Sequence, residues 1–262
     1  MVLAVIALGL VLGMRHATDP DHVVAVTTIV SREKSVYSAA IIGGIWGVGH
    51  TLTILAVGSA IILLKVTIPP ALGLTLELSV GFMLVVLGLL NLTGLMSRAM
   101  AWLEAHGLGS GEHMHRILGR LTVHKHGSSK YSPGKDRSPT GWQPQWLQKL
   151  GAFHVLRPLF VGIVHGLAGS AAVALLVLTT IRDPRWALVY LFVFGIGTVI
   201  GMMMITAAIA LPFVFTLRHF SHLNQGLALA SGAISLSFGL FLCYRIGISD
   251  GLFLGHPTWI PH

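Results

Sequence analysis

The sequence predicts an all-α, polytopic membrane protein. About six transmembrane helices form two inverted three-helix repeats, and the first helix is broken at His16-Ala17-Thr18-Asp19-Pro20-Asp21-His22. Three observations carry this. Of 262 residues, 54% are hydrophobic and 10% charged, with a mean hydropathy of +0.80, whereas soluble domains carry roughly 25% charged residues. Apolar runs long enough to cross a bilayer recur six times. The second half of the chain restates glycine and histidine positions of the first.

The six runs cover about 2–30, 36–64, 72–97, 157–181, 186–215 and 226–247, each near or above the roughly 18–20 residues that cross a hydrocarbon core. No basic segment precedes the first run and the apolar chain continues far beyond it, so a cleavable signal peptide is not expected. The first run is interrupted by five ionisable side chains, Arg15, His16, Asp19, Asp21 and His22. Charges at membrane depth cost several kcal/mol unless paired or ligated. Asp19 followed by Pro20 is also a helix start, an N-cap residue with proline at the first helical position. One half-helix is therefore expected to end near Arg15–Ala17 and another to begin at Asp19, with the His and Asp side chains facing one cavity. A salt bridge from Arg15 to Asp19 or Asp21 would account for one charge pair and leave a carboxylate and two imidazoles over.

The second run carries Trp46-Gly47-Val48-Gly49-His50-Thr51, a mid-span imidazole beside glycines that let a neighbouring backbone approach. The third contains Glu77, which reads as interfacial, and Asn91, which reads as a helix-to-helix hydrogen bonder.

Residues 98–156 break the apolar pattern. Nine of the 17 Lys and Arg residues fall within 98–157, which places that loop on the cytoplasmic side with both termini outside, and accounts for most of the net charge of +8 without a nucleic-acid partner. The stretch reads as a mobile linker, its histidines (His106, His113, His115, His124, His126) solvated, with Trp142 and Trp146 as interfacial anchors. The expected organisation is a first three-helix repeat over 1–97, the basic linker over 98–156 and a second three-helix repeat over 157–262.

The repeat itself is visible residue by residue. Gly13-Met14-Arg15-His16 matches Gly162-Ile163-Val164-His165, Trp46-Gly47-Val48-Gly49-His50 matches Phe194-Gly195-Ile196-Gly197-Thr198, and Gly81 and Gly88 match Gly232 and Gly239. His16 and His50 are 34 residues apart, His165 and Thr198 33. Three spans is an odd number, so the second half enters the membrane from the opposite side. Inverted repeats of this kind build secondary transporters whose substrate sits near the midplane on discontinuous helices.

The lone cysteine, Cys243, forms no internal disulfide and no CxxC site exists. A His/Asp donor set without thiolates suits nickel, cobalt, zinc, copper(II) or iron(II) rather than calcium or magnesium. Around it, Arg15, Thr51, His165, Ser170 and Thr198 are candidates for supporting or pathway roles.

Arg15-His16-Ala17-Thr18-Asp19-Pro20-Asp21-His22-Val23 resembles R-H-A-(V/F)-D-A-D-H-I, the signature of the nickel/cobalt transporter family, and its core H-x-x-x-x-D-H is met by His16, Asp21 and His22. Trp46 to Thr51 resembles the family's second motif, an aromatic residue followed by x-x-G-H-(S/T). The third motif, L-G-x-(D/E)-T-A-T-E, falls near Gly166–Ala172 without its acids, and the fourth, G-M-x-x-x-D, meets Gly201-Met202 but has Thr206 at the acidic position. With its opening span carrying the first motif directly, the chain resembles the shorter branch associated with urease accessory proteins of the UreH type.

The resemblance implies a cell-membrane permease, not an enzyme, with no resident cofactor. Nickel(II) or cobalt(II) is its transported substrate, and His16, Asp19, Asp21, His22 and His50 act in metal recognition or passage. The partners implied are the metal ion, the lipid bilayer and a metallochaperone or urease maturation system. Uptake is the leading direction and efflux the alternative. An intramembrane metal-dependent hydrolase is the remaining reading, and the HExxH pattern of that chemistry is absent from the sequence.

Overall fold

The architecture follows from a computed structural model, which describes residues 2–31, 33–64, 69–95, 113–117, 120–124, 155–169 and 183–258. The helices are α1 (Val2–His16), α2 (Pro20–Val30), α3 (Val36–Leu64), α4 (Pro70–Leu92), α5 (Val155–Gly169), α6 (Pro184–His219) and α7 (Ser221–Tyr244). Four of them are long and apolar enough to cross a membrane, the stretches being Val36–Leu64, Pro70–Leu92, Pro184–Leu217 and His222–Ser249, the last continuing past α7. Ile6–His16, Pro20–Val30 and Val155–Gly169 are shorter apolar helices. Large apolar side chains such as Leu52, Phe82, Phe192 and Phe241 are more than half exposed. That pattern suits helices whose outer faces meet lipid tails, and the chain is a membrane protein.

The helix boundaries have local causes. α2 begins with Asp19 at the N-cap and Pro20 at the first helical position, and α4 with Pro69 and Pro70. Proline there loses an amide that would have no intrahelical partner anyway. α6 starts at Pro184, and the Asp183 carboxylate accepts from the Arg185 N–H at 2.9 Å. α4 stops at Leu92, short of the expected 97, because Gly94 adopts a φ of +65°, the left-handed conformation that ends helices. The first apolar run is two helices: Thr18 N–H bonds the Arg15 carbonyl at 2.8 Å and Asp19 N–H the His16 carbonyl at 3.1 Å, a tight turn between α1 and α2. The second half of the expected 157–181 span lies outside the described residues beyond Gly169.

Two compact units divide the chain. One comprises Met1–Leu95 with Arg157–His262, the other Met96–Leu156. In the second, the described residues form an antiparallel hairpin, β1 (His113–Ile117) with β2 (Arg120–His124), in a register that pairs His113 with His124 and Ile117 with Arg120. A mobile linker was the sequence expectation; only two residues separate the strands, so the pairing closes at small entropic cost. Trp142 and Trp146 lie outside the described residues.

Within the first unit, α3 packs along α6, α4 along α7 and α1 along α6, while α2 touches α4, α6 and α7. Glycine makes these approaches possible. A methyl group on Gly13 would collide with the Phe194 carbonyl oxygen, and one on Gly162 with the Trp46 carbonyl oxygen. On the α4–α7 contact, a methyl on Gly88 would lie 2.8 Å from the Gly232 carbonyl oxygen and one on Gly239 2.8 Å from that of Gly81. The order of these contacts sets chain direction: α3 runs antiparallel to α6, α4 antiparallel to α7, α1 parallel to α6 and α5 parallel to α3. One core gathers Ala25, Val26, Ile42, Trp46, Leu84 and Met202 around α2; a second gathers Ile54, Leu191 and Phe194 between α3 and α6.

Candidate metal centre

The break between α1 and α2 frees backbone and side chains together. Asp19 sits at the N-cap of α2 but makes no side-chain capping bond. Its carboxylate turns back instead, and Oδ2 lies 2.7 Å from His16 Nδ1. Two residues on, Asp21 accepts from the His22 amide N–H at 2.9 Å and faces His22 Nδ1 at 3.2 Å, both through Oδ1. Each histidine of the motif therefore has an adjacent carboxylate on its Nδ1. A carboxylate accepting from Nδ1–H holds the imidazole in the tautomer whose Nε2 lone pair is bare, the arrangement that orients histidine ligands around metals.

Nitrogens of the rings converge. His16 Nε2 lies 3.1 Å from His50 Nε2. Ligand nitrogens of His16, His22 and His50 all fall within 4.8 Å of one another. His22 and His50 are buried, and His22 Nε2 has no hydrogen-bond partner. An unpaired polar atom in the interior is costly and rare, so this one calls for a ligand. Two nitrogens bound at about 2.05 Å to one ion stand about 2.9 Å apart at a right angle and about 3.3 Å apart at the tetrahedral angle; 3.1 Å lies between. Trp46 stacks on His22 at 5.7 Å and 20°, fixing the ring plane.

A second group adjoins the first through His22. Asp21, His22 and His165 also have ligand atoms within 4.8 Å, and His165 Nε2 lies 2.9 Å from Asp21 Oδ2. His165 is buried, its ring centroid 4.2 Å from that of His22. Asp21 thus sits between two imidazoles, one from each half of the chain.

The other candidate residues have different places. Arg15 is exposed and pairs with neither Asp19 nor Asp21, so the salt-bridge account of the cluster does not hold. Thr51 donates to the Gly195 carbonyl at 3.1 Å, a bond between α3 and α6. Thr198 is buried and donates to the Phe194 carbonyl of its own helix at 3.0 Å. Ser170 lies outside the described residues. Glu77 lines a cavity of about 350 Å³ shared with His16, Asp19, Asp21, His22 and His165. Its signal in the sequence was its isolation: no other acidic residue stands between Glu33 and Glu104. Asn91 bonds between helices as expected, donating to the Ala228 carbonyl at 3.0 Å and to Ser231 Oγ at 3.1 Å.

Among known proteins, the chain is similar to urease accessory protein UreH of Bacillus sp. (strain TB-90), with 35% identity over 259 residues, covering 99% of this chain and 97% of that protein. No family model and no solved structure matches it.

Proposed function

Since the chain belongs to the UreH-like branch of the nickel/cobalt transporter family, we propose that it is a permease carrying nickel(II), with cobalt(II) as the close alternative, into the cell through a site in the middle of the membrane. The observation that carries this reading is the convergence of His16, His22 and His50, three imidazoles with ligand atoms within 4.8 Å of one another, with His22 Nε2 and His50 Nδ1 both unpartnered in the interior. Imidazole nitrogen suits nickel and cobalt, and the absence of thiolate disfavours copper(I) and cluster iron. Such a family transports rather than catalyses, and the metal is cargo, not a resident cofactor.

The residues divide the work. His16, His22 and His50 hold the ion by Nε2. Asp19 and Asp21 accept from the Nδ1–H groups of His16 and His22 and raise their basicity. His165 donates to the far oxygen of Asp21, so that the carboxylate stays aligned. Arg15 and Thr198 stand outside this arrangement. Imidazoles bind metal only when deprotonated, so proton arrival at the cluster is a route to release.

Six spans in two inverted repeats give this site its setting. The support is reciprocity. Gly13 meets Phe194, and its counterpart Gly162 meets Trp46, the counterpart of Phe194; Gly88 meets Gly232, and Gly239 meets Gly81. A two-fold relation exchanges each contact for the other, and it requires the opposed directions of α3 and α6 and of α4 and α7. Transport then follows from one half rocking against the other about the shared site. The basic 98–156 segment is assigned to the cytoplasm and both termini to the outside. The relative is an accessory protein of urease by name, and a metallochaperone or urease maturation system is accordingly the recipient proposed for the ion.

Nickel titration of the purified full-length protein tests this reading, together with radioactive nickel accumulation in cells with and without it. Saturable binding that is lost in His22→Ala, and accumulation that falls on deletion, are expected. Normal uptake by His16→Ala, His22→Ala and His50→Ala alike would remove the site, and accumulation that rises on deletion would reverse the direction.

A further inference from the structure

Asp21 stands between two buried imidazoles. Its Oδ1 lies 3.2 Å from His22 Nδ1 and its Oδ2 2.9 Å from His165 Nε2. Those are hydrogen-bond lengths, and they are equally the spacing of two donors on one ion, about 2.9–3.3 Å for bonds near 2.05 Å. Asp21, His22 and His165 each offer a ligand atom within 4.8 Å of the others, as His16, His22 and His50 do. Among the described residues, two donor groups therefore share one ring.

That ring is the near neighbour of every other. The His22 centroid is 4.2 Å from that of His165, 4.8 Å from His16 and 5.0 Å from His50, whereas His50 and His165 stand 5.9 Å apart. An ion that moves from one group to the other exchanges two donors and stays beside His22 throughout. The groups differ in depth. Asp21, His22 and His165 all line the cavity of about 350 Å³, and the Asp21 side chain is 32% exposed. His50 is wholly buried and stands outside that lining. The mixed group is thus the cavity-side one, and the all-imidazole group lies deeper.

Aligning a carboxylate engages only one nitrogen of His165. The other, Nδ1, is buried without a hydrogen-bond partner, as is His22 Nε2, and such atoms are rare in folded interiors. A ligand role uses both nitrogens of His165: with the ion on Nε2, the ring proton resides on Nδ1 and the imidazole stays neutral. The mixed group also sets an anionic oxygen directly on a divalent ion, where the deeper group offers neutral nitrogen alone. Two imidazoles and a carboxylate suit the same borderline ions.

We infer that Asp21, His22 and His165 form a second metal position on the cavity side, exchanging nickel(II) or cobalt(II) with the deeper position at His16, His22 and His50. The inference rests on the permease reading and adds a step to it. His16 and His165 are repeat counterparts, one in each position, so the ion takes a ligand from both halves of the chain in a single passage. Rocking of the halves then has a direct means of moving the ion, since it changes the distance between the two positions' donors.

The test separates a ligand from an orienting residue. In His165→Gln the amide still donates to Asp21 but replaces a good nickel ligand with a poor one. The maximal rate of nickel uptake into proteoliposomes is expected to fall about tenfold or more, while equilibrium nickel binding by the purified full-length protein, governed by the deeper position, stays close to wild type. His165→Glu supplies a metal-binding oxygen without the donor, and should recover part of the rate lost in His165→Gln. Wild-type uptake by His165→Gln overturns the inference and leaves His165 an orienting residue only. A rate in His165→Glu no higher than in His165→Gln overturns it as well, as does loss of binding together with uptake in a His165→Gln protein of unchanged thermal midpoint. Wild-type protein that neither binds nor transports nickel would instead defeat the permease reading.

Discussion

His165 reaches Asp21 across 144 residues of sequence, Nε2 to Oδ2 at 2.9 Å. The two residues belong to different halves of the chain, and His165 is the repeat counterpart of His16. One member of the pair points its Nε2 at His50, the other at a carboxylate that orients His22. On the proposed reading the site is lopsided: the first half supplies the donors and the second half steadies them.

A graded loss of nickel affinity follows. Asp21→Asn removes the charge and turns one of the two accepting oxygens into a donor, leaving at most one imidazole with an acceptor, and is expected to weaken binding about 10–100-fold, the usual cost of losing an orienting partner. His165→Ala leaves Asp21 on His22 and should cost less, about tenfold. Calorimetric titration ranks them; an effect of His165→Ala larger than that of His22→Ala would make His165 a direct ligand.

Nickel should stabilise the folded protein. A ligand at 100 times its dissociation constant adds about 2.7 kcal/mol, readable as a rise in the thermal midpoint of detergent-purified protein. His50→Ala removes one of the three converging nitrogens, and the nickel-dependent rise is expected to vanish. A chelator should reverse the rise in wild type.

Two glycines should respond in opposite ways. A methyl at Gly162 would strike the Trp46 carbonyl and press on the His50 backbone, so Gly162→Ala should force α3 and α5 apart, lowering stability by about 1–3 kcal/mol and nickel binding with it. Gly226, in α7, has nothing within 4 Å of such a methyl. Gly226→Ala should raise stability by about 0.5–1 kcal/mol through helix propensity. Thermal midpoints of the two variants check the contrast.

Asn91→Leu should separate packing from function. Asn91 joins α4 to α7 through the Ala228 carbonyl and Ser231 Oγ, and its amide also lies 3.4 Å from Ser31 Oγ. Hydrogen bonds between membrane helices contribute about 0.6 kcal/mol on average and up to about 1.7, so a loss of roughly 1–2 kcal/mol is expected. Nickel affinity, measured on the folded fraction, should stay at the wild-type value.

Much of this was legible in one dimension. The 36–64 run is α3 at the same bounds, and Asp19-Pro20 marks the start of α2, because apolar length and N-terminal proline are local properties. The first motif named four of the residues that meet in the cluster, and the second named His50. What the sequence pattern left open were groups whose placement depends on distant neighbours. Glu77 gave no sign of sharing a cavity with the motif histidines, because the packing that encloses that cavity is not written in α4 alone. Arg15 stood as a supporting or pathway candidate because it adjoins the motif in the chain, while its side chain is exposed. Asp19 took the predicted cap position yet turns its oxygen to His16 Nδ1 at 2.7 Å, a partner one turn back in the chain that no capping rule anticipates.

By itself the sequence determined the membrane class, the helical runs, the break between α1 and α2 and the restated glycines, for each is written in hydropathy, proline or spacing over a few residues. Only the tertiary structure decided which histidine nitrogens converge, which carboxylates orient them and which acid shares their cavity. Those outcomes rest on helices packed through glycine at backbone contact, where residues 34 and 144 positions apart become neighbours, and no local pattern encodes the rotation and depth at which two helices meet.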